Sequence, residues 1–276
     1  MTVKLLVVGA GGRMGRRIVA LAAESGEFEI VGAVEAAGHP DIGKDAGLAA
    51  GAGAIGVKLA SRFPGGADVA IDFSQPEAAG ATVEYCVEKN LALVLGTTGL
   101  GEDARGKMSA AARKIPIIYG TNMSVGMNVL FNVVGKVAAM LGEDYDIEIV
   151  EQHHRFKKDA PSGSALTLAE NICTATGRYF PGCVVDGRGG KDLPRPAGLG
   201  TAGALRKKGE IGMHAVRAGD ITGDHCVMFG GLGETVTLGH TANSRDTFVR
   251  GALRAANWLV GKKPGLYSMS DVLGIT

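Results

Sequence analysis

The amino-acid sequence predicts an α/β protein in two parts: an N-terminal parallel sheet covered by helices, followed by an α+β domain. Three observations lead there. Between residues 3 and 120, short apolar runs alternate with helical segments, the pattern of strands buried on both faces. A glycine-rich turn joins the first run to the first helix. After about residue 124 the pattern changes to runs that alternate polar and apolar residues with short turns between them.

Residues 3–8 (VKLLVV) read as a buried strand stopped by glycine. Residues 13–25 read as a helix with Met14, Ile18, Val19 and Leu21 on its apolar side. Strands follow at 28–34 and 67–72. Ser74, Gln75, Pro76 and Glu77 have the pattern of a capping box opening a helix that runs to about Lys89. Then come a strand at 91–95, a helix at 103–114 and a strand at 115–120. In the second part, residues 127–141 predict an apolar helix and 145–151 a half-exposed strand. A helix runs from Gly163 to about Thr176, and residues 180–208 are loop-rich, with a Gly/Pro/basic stretch at 187–200. Strands are expected at 209–217, 223–230 and 234–241, with Ala218, Gly219 and Asp220 as a hairpin turn. A last helix at 245–260, carrying Phe248, Ala252, Leu253, Ala256 and Leu259, is expected to return to the first domain. The expected division is residues 1–124 with 235–276 against residues 125–234.

The 276 residues suit two domains, and 46% hydrophobic with 21% charged residues is the balance of a globular protein. Lys+Arg 29 against Asp+Glu 28 leaves a net charge of +1, so charge points to neither nucleic acid nor a membrane surface. The 44 glycines show no collagen period and imply tight turns and close backbone approaches. Cys86, Cys173, Cys183 and Cys226 form no C-x-x-C pair, which argues against a disulfide framework or a zinc site and fits a reduced, cytoplasmic setting. The apolar run from Leu5 to Val8 is too short for a signal-peptide core or a membrane span, and no other stretch reaches the necessary length without charge or glycine.

The chemistry starts with the turn Gly9, Ala10, Gly11, Gly12, Arg13, Met14 and Gly15. A glycine turn between strand and helix lets backbone N–H groups approach a pyrophosphate, the arrangement of a Rossmann-type domain. Its last glycine falls one step later than in G-x-G-x-x-G. Glu35 ends the second strand 20 residues after Gly15, where an acid can hold the adenine-ribose hydroxyls. Ala36 and Ala37 offer no arginine to a 2′-phosphate, which weakly favours NADH over NADPH on charge, while Arg13 or Arg16 could still serve such a phosphate, so NADH, NADPH or both are expected. Gly96, Thr97 and Thr98 follow one strand, and Gly120, Thr121, Asn122 and Met123 follow the next, at the strand ends where ligands of open sheets bind. Residues 101–107 imitate the start of a P-loop, but Met108 stands where a magnesium-binding hydroxyl is needed, so they read as a solvated helix start.

The densest constellation is EQHHRFKKDAPSGS, residues 151–164. His153 and His154 supply imidazoles, the side-chain type suited to acid/base work, Lys157 can polarise an imine nitrogen or hold a carboxylate, and Ser162, Gly163 and Ser164 open a helix able to receive an anion. Such a set suits a small anionic substrate that needs a proton. The competing readings are a solvated loop with a serine N-cap and a zinc site, the latter lacking H-E-x-x-H. His214, His225 and His240 sit on expected strands and read as packing or interface residues.

These motifs together (VGAGGRMGR, IDFSQPE, GTTG, NMSVGMNV, EIVEQHHRFKKDAPSGSA and VRAGDITGDH) resemble the 4-hydroxy-tetrahydrodipicolinate reductase family over essentially the whole chain. The resemblance implies a nicotinamide-binding Rossmann domain and a substrate domain that also builds a homotetramer. It implies that residues 9–14 hold the pyrophosphate, Glu35 the ribose, and Gly96, Thr97, Thr98 and residues 120–123 the nicotinamide side. It makes His153 the acid/base residue and Lys157 the proton donor, and it puts His154, Gly163 and Ser164 on a small cyclic dicarboxylate imine, one carboxylate of which the helix start from Ser162 to Ser164 is expected to grip. Ser164 stands where many members carry Thr, and Ala36 where some carry Arg. Two other functions compete: a two-domain dehydrogenase of an amino-acid semialdehyde, which would need a nucleophilic cysteine, and a non-catalytic NAD(H)-sensing protein, which would have no use for the residues 153–164 cluster.

Overall fold

The structure, a computed structural model, describes residues 2–187 and 206–275. It divides into two compact units, Met1–Val125 with Arg245–Thr276, and Gly126–Ser244. In chain order the elements are β1 (Val3–Val8), α1 (Arg13–Ser25), β2 (Phe28–Val34), α2 (Ala46–Ala50), β3 (Leu59–Ala60), β4 (Val69–Asp72), α3 (Pro76–Lys89), β5 (Ala92–Leu95), α4 (Glu102–Ala111) and β6 (Pro116–Tyr119). Then follow α5 (Val125–Leu141), β7 (Asp146–His153), α6 (Gly163–Thr176), β8 (Val184–Asp186), β9 (Ile211–Arg217), β10 (Asp224–Gly230), β11 (Thr235–Thr241), α7 (Asp246–Leu259), β12 (Gly265–Tyr267) and α8 (Met269–Leu273).

The first unit holds a seven-stranded sheet in the order β12-β6-β5-β4-β1-β2-β3, with every pairing parallel. Its central strands are apolar on both faces because each face is covered: Leu5, Val7, Val69 and Ile71 face one buried cluster, and Leu6, Ala70, Leu93 and Leu95 the other. The first cluster includes Val249, Ala252, Ala256 and Leu259, so α7 covers this sheet as the sequence leads one to expect. The capping box does not form. Asp72 accepts the Ser74 N–H at 2.7 Å, and the N-cap is Gln75, without a side-chain cap.

The second unit holds a five-stranded mixed sheet in the order β11-β10-β7-β9-β8. Ile147, Ile149, Ile211, Met213, Val227 and Phe229 pack one face against α5 and α6. The segment Val125–Asp144 is long and apolar enough by length and composition to cross a membrane, but its Met127, Leu130, Val134 and Ala138 are buried in this core. Two expectations are corrected here. Residues 218–220 do not close a hairpin, because β7 lies between β9 and β10, parallel to β9 and antiparallel to β10. The hairpin is between β10 and β11, where the Gly231 N–H donates to the Glu234 carbonyl. Residues 235–241 therefore lie in the second sheet, and the chain re-enters the first unit at Arg245 rather than 235. Of the 187–200 stretch, all but Gly187 lies outside the described residues.

Candidate active site

In the first unit, β1 ends at Val8 and the chain turns into α1 through the glycine-rich segment. The N–H groups of Gly9 and Ala10 both donate to the Val34 carbonyl, tying the turn to the end of β2. Gly12 is the N-cap of α1 and has no side-chain cap, and Arg13 and Met14 form its first turn. Helix and strand meet so closely that a Cβ at Gly15 would lie 2.0 Å from the Gly9 carbonyl oxygen. That glycine lets the helix start reach the strand end, a cradle that fits a dinucleotide pyrophosphate. Glu35 follows β2; its carboxylate accepts the N–H groups of Gly11 and Ala36, both at 2.9 Å. Arg16 is bound to Asp41 at 2.7 Å and to the Gly11 carbonyl, and Asp41 also binds Lys44 at 2.6 Å.

The other segments expected at a cofactor lie at the same strand ends. The Gly96 N–H donates to the Asp72 carbonyl, and the Thr97 hydroxyl donates to the buried Asp72 carboxylate at 2.9 Å. Thr98 is exposed. Gly120 and Thr121 follow β6, and Asn122 accepts the Ser124 N–H. The Met123 side chain is 1% exposed and packs in the core.

In the second unit the residues 151–164 cluster forms around one carboxylate. Glu151 and His153 lie two residues apart on β7 and so share a face. Glu151 is 0% exposed. One of its oxygens lies 2.6 Å from His153 Nδ1 and 2.8 Å from an Arg217 nitrogen; the other accepts from Arg217 at 2.7 Å and from the Ser162 N–H at 3.0 Å. Burial alone would push this carboxyl up, but the hydrogen bonds from Arg217 and His153 outweigh it and hold the group below the usual carboxylate range. Burial pushes His153 below the ordinary histidine value, with Glu151 pulling against it. Lys157 stands in the turn after β7, paired with Asp159 at 2.8 Å. His154 is half-buried, with its ring 6.3 Å from that of Phe156.

Ser162 is the N-cap of α6, and Gly163 and Ser164 begin its first turn. Its hydroxyl accepts the Ala165 N–H and lies 3.0 Å from His225 Nε2, so both its polar groups are engaged within the unit. Burial pushes His225 down to about 3, so that ring stays neutral. The structure thus brings together His153, Lys157 and Ser162, and adds three residues to which the sequence reading assigns no role: Glu151, Arg217 and His225. The alternation of β7 is the signal for Glu151; Arg217 and His225 arrive from β9 and β10 through register alone, opposite His153 and Glu151. Among the described residues no group of three or more His, Cys, Asp or Glu side chains could hold a metal.

Comparison with known proteins bears on both units. Residues 3–123 match the family described as dihydrodipicolinate reductase, N-terminus, and residues 126–273 the one described as dihydrodipicolinate reductase, C-terminus. The 4-hydroxy-tetrahydrodipicolinate reductase of Citrifermentans bemidjiense is 45% identical over 278 aligned positions, covering 99% of each chain. That of Anaeromyxobacter dehalogenans is 46% identical, covering 99% of this chain and 98% of its own. A dipicolinate-bound dihydrodipicolinate reductase from Paenisporosarcina sp. TG-14 shares the fold with a TM-score of 0.70 at 23% identity, over 97% of this chain and 98% of that one. With both parts matched and such identity along nearly its full length, the chain belongs to the dihydrodipicolinate reductase family of NAD(P)H-dependent oxidoreductases.

Proposed function

We propose that this chain reduces 4-hydroxy-tetrahydrodipicolinate to tetrahydrodipicolinate, a step of lysine and diaminopimelate biosynthesis, with His153 delivering the proton. The observation that carries the assignment of roles is the buried Glu151–His153 contact beside Lys157 and the start of α6. Loss of water from C3 and C4 of the hydroxylated ring gives the conjugated cyclic imine, and NAD(P)H, when bound, would supply the hydride to its C4. The cradle at residues 9–14 holds the pyrophosphate and Glu35 the ribose; Gly96, Thr97, Thr98 and residues 120–123 line the nicotinamide side. Charge then moves toward the ring nitrogen, where Lys157 stabilises it. His153 protonates C3. Burial disfavours an imidazolium, and the two carboxylates of an arriving substrate offset that by favouring the charged ring. Gly163, Ser164 and the helix N-terminus grip a substrate carboxylate and His154 assists, while Ser162, already engaged, holds the turn in shape.

NADH is the preferred cofactor in this reading, because Asp41 occupies Arg16 and Lys44 near Glu35 and a 2′-phosphate would meet two acids. The enzyme works in the cytoplasm as a homotetramer. Support for self-association comes from the sheet face opposite α5 and α6, where Val150, Cys226 and Met228 are only partly buried and Thr237 and Gly239 are exposed; sedimentation velocity showing a monomer would remove that part. The test of the site is His153→Ala and Lys157→Ala. Each is expected to lower turnover at least about a hundredfold with folding intact. Near-normal turnover in both would refute the assignment.

A further inference from the structure

We infer that Glu151 is a positioning residue for the reaction: it fixes the His153 ring with the Nδ1 hydrogen on its carboxylate and leaves Nε2 as the atom that handles the proton. The inference rests on His153 being the proton carrier, as proposed above. Glu151 is wholly buried and accepts two hydrogen bonds from Arg217, which keep it ionised. An ionised carboxylate has no hydrogen to give. The 2.6 Å contact with His153 therefore requires the hydrogen to lie on Nδ1. The Ser162 N–H bond and the second Arg217 contact hold the other oxygen, so the carboxylate cannot rotate away.

The opposite side of the ring is left open by a glycine. A Cβ at Gly223 would lie 3.0 Å from His153 Nε2, a tight contact that would press the ring by a few tenths of an ångström. The charges around the ring assign Glu151 a second task. Lys157 and Arg217 add to the effect of burial in disfavouring an imidazolium. His225 meets the ring edge-on at 5.3 Å and is neutral. Of these groups only Glu151 favours the charged ring. One carboxylate thus sets both the tautomer and the proton affinity of His153, as the acid does in other carboxylate–histidine pairs.

The direct test is ¹⁵N NMR of the native enzyme carrying ¹⁵N-labelled histidine, with His153→Gln to assign the signal. The expected neutral ring is a single tautomer, protonated at Nδ1. A ring protonated at Nε2, or one averaging between tautomers, overturns the inference. This measurement needs no substrate and no change at Glu151, so it decides the matter even where a Glu151 variant fails to fold. Kinetics give the second test. Glu151→Gln is expected to lower kcat about tenfold to a hundredfold, with KM for the substrate changed only a few-fold. The alkaline limb of its kcat–pH profile moves to lower pH, because the ring has lost the anion that helps it keep a proton. Glu151→Asp keeps the charge and is expected to keep the limb in place. A fall in kcat with an unmoved limb in Glu151→Gln would mean a purely structural role and would also overturn the inference. Normal turnover in His153→Ala would sink the proposed function while leaving the NMR result standing, so the two failures are distinguishable.

Discussion

Replacing Arg217 by alanine strands a buried anion. Arg217 makes two contacts with Glu151, at 2.8 and 2.7 Å, and the carboxylate is 0% exposed. Removing one partner of such a pair costs about 3–5 kcal/mol, most of it the penalty on the charge left behind. The Arg217 side chain is 19% exposed, which places the expected loss at about 3 kcal/mol. The pH dependence is more telling than the size. In the native chain the Glu151 carboxyl is depressed, because Arg217 and His153 outweigh burial. It therefore contributes stability that is present above its unfolded pKa and is lost as pH falls through its folded pKa. Without Arg217, burial dominates and the carboxyl moves up. The sign then reverses: the deficit of the variant is full at neutral pH and shrinks as acid lets Glu151 take a proton. Urea unfolding of both proteins at about pH 7.5 and about pH 5 reads this directly. Arg217→Ala combined with Glu151→Gln is expected to recover much of the loss. A deficit below about 1 kcal/mol, or one equal at both pH values, refutes the reasoning.

Three further outcomes are expected. Gly15→Ala drives a Cβ into the Gly9 carbonyl and should cost about 1–3 kcal/mol and weaken NADH binding at least about tenfold, measured by calorimetry. Ser162→Ala removes the cap on the Ala165 N–H and the contact with His225, and thermal unfolding should show a loss of about 1 kcal/mol. Asp41→Asn frees Arg16 and Lys44, so the affinity for 2′,5′-ADP relative to 5′-AMP should rise about two- to fivefold, while an unchanged ratio would detach Asp41 from cofactor choice.

The first sheet can be read from the sequence because each long strand is an apolar run closed by glycine or a polar turn, a local signal. The elements β3, α2, β12 and α8, of two to five residues, are too short to show a period, and the sequence does not predict them. The false hairpin at 218–220 has a different cause. Its turn chemistry is sound, but whether β9 and β10 pair depends on β7, which arrives from more than 50 residues earlier in the chain. The site divides in the same way. His153, Lys157 and Ser162 stand in one run of sequence. Glu151 becomes visible only when β7 is extended to His153, two residues past the expected end, which puts both side chains on one face. Arg217 and His225 carry no local mark, since only sheet register sets them beside Glu151 and His153. Sequence also suggested that the Ser162 hydroxyl faces an anion, whereas the fold commits it to Ala165 and His225.

A substrate-dependent reductase whose proton comes from the residues 151–164 cluster consumes cofactor only when its substrate is present. The most direct measurement follows NADH and NADPH oxidation with freshly generated 4-hydroxy-tetrahydrodipicolinate, beside a control without substrate. Rapid oxidation only when substrate is present, faster with NADH, is the predicted result. Cofactor binding without turnover would contradict it.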